Sequence, residues 1–132
     1  LAEAIHHGAR KHGLVMPVLL QVNIANDLAK YGIDPSGLER VLKDLSRLDG
    51  IQVEGLMAMV PFHPDPEESR PHYARLRELR DRMSALDMEH IVMKELSMGM
   101  TNDFHIAVEE GATIVRVGTA LFGQRSDVKA SQ

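Results

Sequence analysis

Two short segments near the C-terminal end combine residue types that suit the binding of an anion. Residues 95–103 read Glu-Leu-Ser-Met-Gly-Met-Thr-Asn-Asp, and residues 114–123 read Ile-Val-Arg-Val-Gly-Thr-Ala-Leu-Phe-Gly. In each segment a short apolar strand pattern leads into a glycine turn that carries a hydroxyl. In the first, Thr101 and Asn102 are favoured helix N-caps. Because hydroxyls and unpaired N–H groups at a helix N-terminus favour an anion, the two turns together predict a phosphate site.

Three other polar or polarisable positions interrupt apolar strand patterns. Arg116 follows Ile114 in the second segment, where a charge is costly to bury without a partner, and a salt bridge to a carboxylate is one interpretation. Gln21 and Asn23 share one side of an earlier apolar run and are interpreted either as site residues or as hydrogen-bonded core amides.

Composition narrows the class of function. The 132 residues carry a formal net charge of −4, and this argues against a nucleic-acid or membrane-surface partner, since both require a basic face. No apolar run is long enough for a membrane span, and no signal-peptide core is visible at the start. With no cysteines, thiolate chemistry and disulfides are excluded, and the cytoplasm is the expected location.

The seven histidines do not predict a metal site. His6 and His7 are adjacent and face different sides of a helix. No ligand spacing is shown by His63, His72, His90 and His105. A nucleophile elbow, a Walker loop and a GxGxxG dinucleotide turn are also missing from the sequence. No catalytic residue is therefore predicted from motifs.

The hydrophobic patterns alternate between the helical and the strand period. Helices are predicted at 1–12, from 34–35 to a stop at 50, at about 72–86 and at 102–110, and strands at 18–24, 51–60, 95–98 and 114–117. This order predicts an α/β fold with a parallel sheet, either a small doubly wound sheet or part of a (β/α)8 barrel. In a barrel the phosphate site is frequently formed by the loops after the last two strands, where the glycine turns lie.

Five segments, in this order along the chain, resemble the pyridoxal-phosphate homeostasis proteins (the YggS/PROSC family), single-barrel relatives of the alanine racemase N-terminal domain. They are Val-Leu-Leu-Gln-Val-Asn at 18–23, Lys-Tyr-Gly at 30–32, Gly-Leu-Met at 55–57, 96–103 and 115–123. Each segment is short, and the ordered set is what makes the resemblance specific.

The resemblance implies that the chain is the C-terminal half of a (β/α)8 barrel, with four parallel strands in residues 1–123 and a polar tail at 124–132. Family members carry about four more strands before this point, and the first ends in the lysine that forms the Schiff base with the cofactor. No lysine here matches it, so we expect a fragment or a truncated version. Open sheet edges would then favour self-association or pairing with the missing half.

The same resemblance implies a pyridoxal 5′-phosphate site, which phosphate or sulfate could also occupy. The implied cofactor-binding residues are Asn23, Met57, Ser97, Met98, Gly99, Met100, Thr101, Arg116, Gly118 and Thr119. The arginine that matches Arg116 faces the pyridine nitrogen in relatives. Met57 and Met59 are interpreted either as the apolar flank of the ring or as plain core.

Three functions remain open from the sequence. The first is a non-catalytic carrier of pyridoxal phosphate that acts in its homeostasis. The alternative is a fragment of an alanine-racemase-type enzyme, which would need a second acid/base opposite the lysine, and neither Tyr31 nor Tyr73 lies at a strand end. The third is a half domain that binds phosphate or sulfate without activity.

Overall fold

The computed structural model describes residues 1–28 and 31–125. The four strands are β1 (Met16–Gln21), β2 (Ile51–Met57), β3 (Ile91–Met100) and β4 (Ile114–Arg116), and the five helices are α1 (Ala2–Lys11), α2 (Leu38–Leu45), α3 (Arg70–Ser84), α4 (Phe104–Glu109) and α5 (Thr119–Phe122). Single 3-10 turns at Pro35–Gly37 and Pro66–Ser69 precede α2 and α3. Of the predicted features, Lys30 and residues 126–132 of the polar tail lie outside the described residues.

All strand pairs are parallel, and the spatial order β1-β2-β3-β4 is the order along the chain. A helix crosses over between consecutive strands. Successive neighbours of this kind form an arc of a barrel, whereas a doubly wound sheet reverses its strand order at a switch point. Within the described residues, β1 and β4 each pair with one strand, so both edges of the arc are open apart from an isolated bridge between Val22 and Ile33 at the end of β1.

The core lies between the sheet and the helices. α2 contributes Leu38 and Leu42, both fully buried, because the two residues recur at helical spacing on one face. α3 contributes Leu76 and Leu79 in the same way. The facing side chains of the sheet are equally inaccessible, among them Val53, Leu56, Leu96 and Met98. This layer fixes the strands, whose C-terminal ends then all meet at one edge of the sheet.

Element boundaries differ from the sequence-based prediction at the strand ends. β1 ends at Gln21 instead of residue 24. Beyond it the Val22 N–H still donates to the Met57 carbonyl oxygen, and Val22 forms only an isolated parallel bridge with Ile33. β2 ends at Met57 instead of residue 60. β3 begins at Ile91, four residues before the predicted start, and α4 begins at Phe104 with Asp103 at its N-cap position. The predicted caps Thr101 and Asn102 therefore belong to the preceding turn.

Two glycines allow the irregular parts of the sheet. The register between β2 and β3 shifts after Val53, and a Cβ at Gly55 would stand 2.0 Å from the Glu95 carbonyl oxygen. The register between β3 and β4 shifts again between Ser97 and Met100, where Gly99 has φ of +98°. Bulges of this kind re-aim side chains and are common beside functional sites. Here the second bulge precedes the first glycine turn.

Candidate cofactor site

A cavity of about 640 Å³ lies at the C-terminal ends of β2, β3 and β4. Its lining residues come from the ends of these strands, the turns that follow them and α3. They are Ala58, Met59, Val60, Phe62, Tyr73, Gly99, Met100, Thr101, Asn102, Asp103, Arg116, Gly118 and Thr119. Both predicted glycine turns thus reach the same cavity. Its location matches the edge at which α/β barrels place their ligands.

Two hydrogen bonds between Met100 and Asp103 close the first turn, 99–103. Met100 N–H donates to Asp103 Oδ1 at 2.9 Å, and Asp103 N–H donates to the Met100 carbonyl oxygen at 3.1 Å. A Cβ at Gly99 would stand 2.6 Å from Ala107 Cβ, so only glycine lets the strand end approach α4 this closely. Thr101 and Asn102 form the tip of the turn.

The second turn, 117–119, is joined to the first. Ala120 N–H donates to Thr101 Oγ1 at 3.2 Å, which links the two turns directly. Within residues 1–28 and 31–125, the N–H groups of Thr101, Asn102, Gly118 and Thr119 have no protein acceptor. Four donors on cavity-lining residues are therefore available to a ligand oxygen.

The Arg116 side chain extends past the C-terminal end of β3 to Ala58, the residue that follows β2. Its Nη2 donates to the Ala58 carbonyl oxygen at 2.7 Å, while its buried Nε has no hydrogen-bond partner. Burial lowers the pKa of the guanidinium, an effect that the nearby Tyr73 and Asp103 partly oppose. No ion pair to Arg116 exists in the described part of the chain, so the salt-bridge interpretation finds no partner there. A buried donor of this kind calls for an acceptor from outside the protein.

The sequence reasoning missed a buried polar pair in the cavity wall. Tyr73 is 1% exposed and Asp103 is 7% exposed, and the tyrosine hydroxyl donates to Asp103 Oδ2 at 2.7 Å. Burial and this hydrogen bond raise the pKa of Tyr73 above its ordinary value of 10, so the phenol remains a hydrogen-bond donor to Asp103 at neutral and mildly alkaline pH. The helical spacing predicted Tyr73 on the buried face of α3. Only the presence of a hydroxyl among these buried side chains indicated that a polar partner was needed.

Six of the ten predicted site residues line the cavity: Gly99, Met100, Thr101, Arg116, Gly118 and Thr119. Ser97 and Met98 are buried in β3 behind it. The Asn23 amide exchanges two hydrogen bonds with the Asp27 backbone, and Met59 instead of Met57 lines the wall. The assignment of all ten to a cofactor stays a prediction, and the structure brings the two turns and Arg116 together.

Two wider observations concern other kinds of site. Over residues 1–28 and 31–125, no three His, Asp or Glu side chains come close enough to hold a metal ion. In the same residues, no helix is both long and apolar enough to cross a membrane.

Comparison with known proteins identifies the family. The profile described as alanine racemase, N-terminal domain, matches residues 1–126. The chain belongs to this family. Among curated relatives, the pyridoxal phosphate homeostasis protein of Aquifex aeolicus is 42% identical over 125 residues, which are 95% of this chain and 54% of that protein. The resemblance to the homeostasis branch of the alanine racemase N-terminal domain family is thereby confirmed, and the chain spans about half the length of the curated relatives it matches.

Solved structures confirm the barrel-type fold. PipY of Synechococcus elongatus, in structures without and with PLP, gives TM-scores of 0.83 and 0.80 at 37% and 35% identity. Both matches cover 92% of this chain and 56% of PipY. Alanine racemase of Clostridium difficile shares the fold at a TM-score of 0.67, with 19% identity over 96% of this chain and 34% of the racemase. The four strands are thus an arc of an alanine racemase N-terminal-type barrel.

Proposed function

We propose that this chain binds pyridoxal 5′-phosphate and supplies the phosphate- and pyridine-binding half of a non-catalytic protein of pyridoxal phosphate homeostasis. The observation that carries the proposal is the convergence of four unpartnered N–H groups and the Arg116 side chain on one cavity. The names of the curated relatives and the PLP-bound PipY structure support the same ligand.

The two turns fit the phosphate end of the ligand. A phosphate offers several acceptor oxygens, and the four N–H groups on Thr101, Asn102, Gly118 and Thr119 are donors without competing protein acceptors. The Thr119 hydroxyl is exposed and adds a further donor, and the Thr101 hydroxyl, which accepts from the Ala120 N–H, keeps its own O–H to donate. The hydrogen bond from the Ala120 N–H to Thr101 Oγ1 holds the two turns in one arrangement relative to each other.

Arg116 fits the ring end of the ligand. The resemblance implies that this arginine faces the pyridine nitrogen, and its buried Nε lacks an acceptor in the described protein. A guanidinium only donates, so it would keep the ring nitrogen as an unprotonated acceptor. Bound pyridoxal phosphate supplies an electron sink for carbanion chemistry, and an unprotonated ring is a weaker sink. This pairing suits a carrier better than a versatile transaminase-like catalyst.

No lysine of residues 1–28 and 31–125 lines the cavity, so we expect these residues to hold the ligand without a covalent bond. The proposal takes the covalent anchor from a lysine beyond these 132 residues, as the resemblance implies. It also includes pairing of the open edges of β1 and β4 with the other half of a barrel, and the cytoplasm as the place of action.

The decisive experiment is equilibrium dialysis of the chain against pyridoxal phosphate, with inorganic phosphate as competitor. We expect saturable binding that phosphate displaces, and no lysine adduct by intact mass after borohydride reduction. Arg116→Gln should weaken the affinity by about tenfold or more, because a charged hydrogen bond is lost. The exposed Arg47→Gln, which changes the net charge equally, should leave the affinity unchanged. Absence of phosphate-competable binding, or equal effects of the two variants, would refute the proposal.

A further inference from the structure

A buried carboxylate in the wall of an anion site requires an explanation. Asp103 is 7% exposed, lines the cavity and forms no ion pair in the described part of the chain. A carboxylate near a bound phosphate is electrostatically unfavourable, because like charges at short range repel. We therefore expect this repulsion to be offset by a stabilising role of Asp103 in the 99–103 turn.

The contacts of Asp103 determine the shape of that turn. Oδ1 accepts the Met100 N–H at 2.9 Å, and Oδ2 accepts the Tyr73 hydroxyl at 2.7 Å. The first bond closes the turn, and the second ties it to α3. With the Met100 N–H occupied in this way, the N–H groups of Thr101 and Asn102 remain without acceptors at the tip.

We propose that Asp103 is a positioning residue of the anion site and that Tyr73 is its anchor. The carboxylate holds the 99–103 turn in the form that presents its free N–H groups, and it does not touch the ligand itself. A phenol is protonated throughout the neutral range, and burial raises the pKa of Tyr73 further, so its anchoring hydrogen bond to Asp103 persists over that range. This inference rests on the proposed function, since it assigns a role within the same site.

Three variants separate geometry from charge. Asp103→Asn removes the charge but retains an oxygen for the Met100 N–H, and its amide can donate to the Tyr73 hydroxyl. Asp103→Ala removes both bonds. We expect Asp103→Ala to weaken the affinity for pyridoxal phosphate and for inorganic phosphate by about tenfold or more, and Asp103→Asn to stay within about threefold of the wild type or bind more tightly. Tyr73→Phe should fall between them.

A matched control excludes a general loss of stability. Glu110 lies at the other end of α4 and bonds Arg70 and Arg77 away from the cavity. Glu110→Ala should lower the urea midpoint while the affinity of the folded chain stays unchanged. Each affinity is measured by equilibrium dialysis at a temperature where far-ultraviolet circular dichroism shows the variant to be folded.

The outcomes distinguish this inference from the proposed function. If the wild type binds neither pyridoxal phosphate nor phosphate, the proposed function fails. If the wild type binds and Asp103→Ala binds equally well, only the positioning role fails. An Asp103→Asn variant as weak as Asp103→Ala would assign the effect to charge and overturn the geometric role. Should Asp103→Ala not fold, an unchanged affinity in Tyr73→Phe would refute the anchoring.

Discussion

Alanine substitution in the two glycine turns should have opposite effects on stability, because Gly99 and Gly118 differ in backbone conformation and in the room available for a Cβ. Gly99 has φ of +98°, and an added Cβ would stand 2.6 Å from Ala107 Cβ and 3.1 Å from Phe104 Cα. Gly118 has φ of −100° and nothing within 4 Å of an added Cβ. The substitution to alanine should therefore be costly at the first position and tolerated at the second.

The expected magnitude for Gly99→Ala follows from two terms. A positive φ costs an alanine about 1–2 kcal/mol, and a methyl forced into the packed contact with Ala107 costs about 1–3 kcal/mol. Alanine also lowers the conformational entropy of the unfolded chain, which stabilises the folded state by about 0.4–1 kcal/mol. The free energy of unfolding should thus fall by about 1–5 kcal/mol. For Gly118→Ala only the entropy term applies, so the change should be within about 1 kcal/mol and of stabilising sign.

Urea unfolding followed by far-ultraviolet circular dichroism measures both values, provided that the slope with denaturant stays constant. The double variant Gly99→Ala with Ala107→Gly removes the methyl contact and leaves the strained φ. It should recover about 1 kcal/mol or more relative to the sum of the single variants, which a double-mutant cycle detects. Equal effects at Gly99 and Gly118 would refute the argument, and a cycle without coupling would refute the part assigned to Ala107.

Three further predictions concern the scaffold. Leu42→Ala, at a fully buried position, should lower the free energy of unfolding by about 2–5 kcal/mol, whereas Leu28→Ala, at a fully exposed one, should change it by less than about 0.5 kcal/mol. Gly55→Ala should cost more than about 3 kcal/mol or prevent folding, because the carbonyl oxygen that its methyl would strike is backbone and cannot move aside; a soluble variant with an unchanged urea midpoint would contradict this. Arg70 lowers the pKa of the Glu110 carboxyl below its ordinary value of 4.5, so their attraction stabilises the fold above that pH and is lost as pH falls through the lowered pKa. The urea midpoint of Arg70→Gln should accordingly lie below that of the wild type at neutral pH and approach it as the pH falls through the lowered pKa of Glu110, and a difference that does not shrink in acid would show a packing effect instead.

The parts of the fold that could be predicted are those with a local signal. Leu38 and Leu42 recur at helical spacing, and Gly-Pro punctuation separates the helices from apolar strand runs, so the α/β order and the parallel sheet followed from the sequence. The choice between a doubly wound sheet and a barrel arc was left open by pattern and was decided by the resemblance. The sequential strand order and the solved relatives confirm the barrel arc.

The candidate site was predictable only where its residues lie in the two turns. Gly99 and Gly118 mark these turns locally, and the parallel sheet brings them together. Tyr73 could not be placed, because its partner Asp103 is 30 residues away and only the packing of α3 on the sheet brings them into contact. Strand ends were also mispredicted: after Gln21 the regular pairing of β1 gives way to a single bridge between Val22 and Ile33, which no local pattern signals.

The bond between Arg116 and Ala58 has a consequence for local opening of the sheet. β4 has only three residues and lies at an open edge, so it should open at a lower free energy than the central strands. Opening would break the Arg116 bond to β2 and remove one wall of the cavity. A ligand that requires this wall must therefore raise the free energy of opening by RT ln(1 + L/Kd), where L is the free ligand concentration. The backbone amide of Val115 should then exchange its hydrogen more slowly when the cavity is occupied, so that a single residue in β4 reports on ligand occupancy.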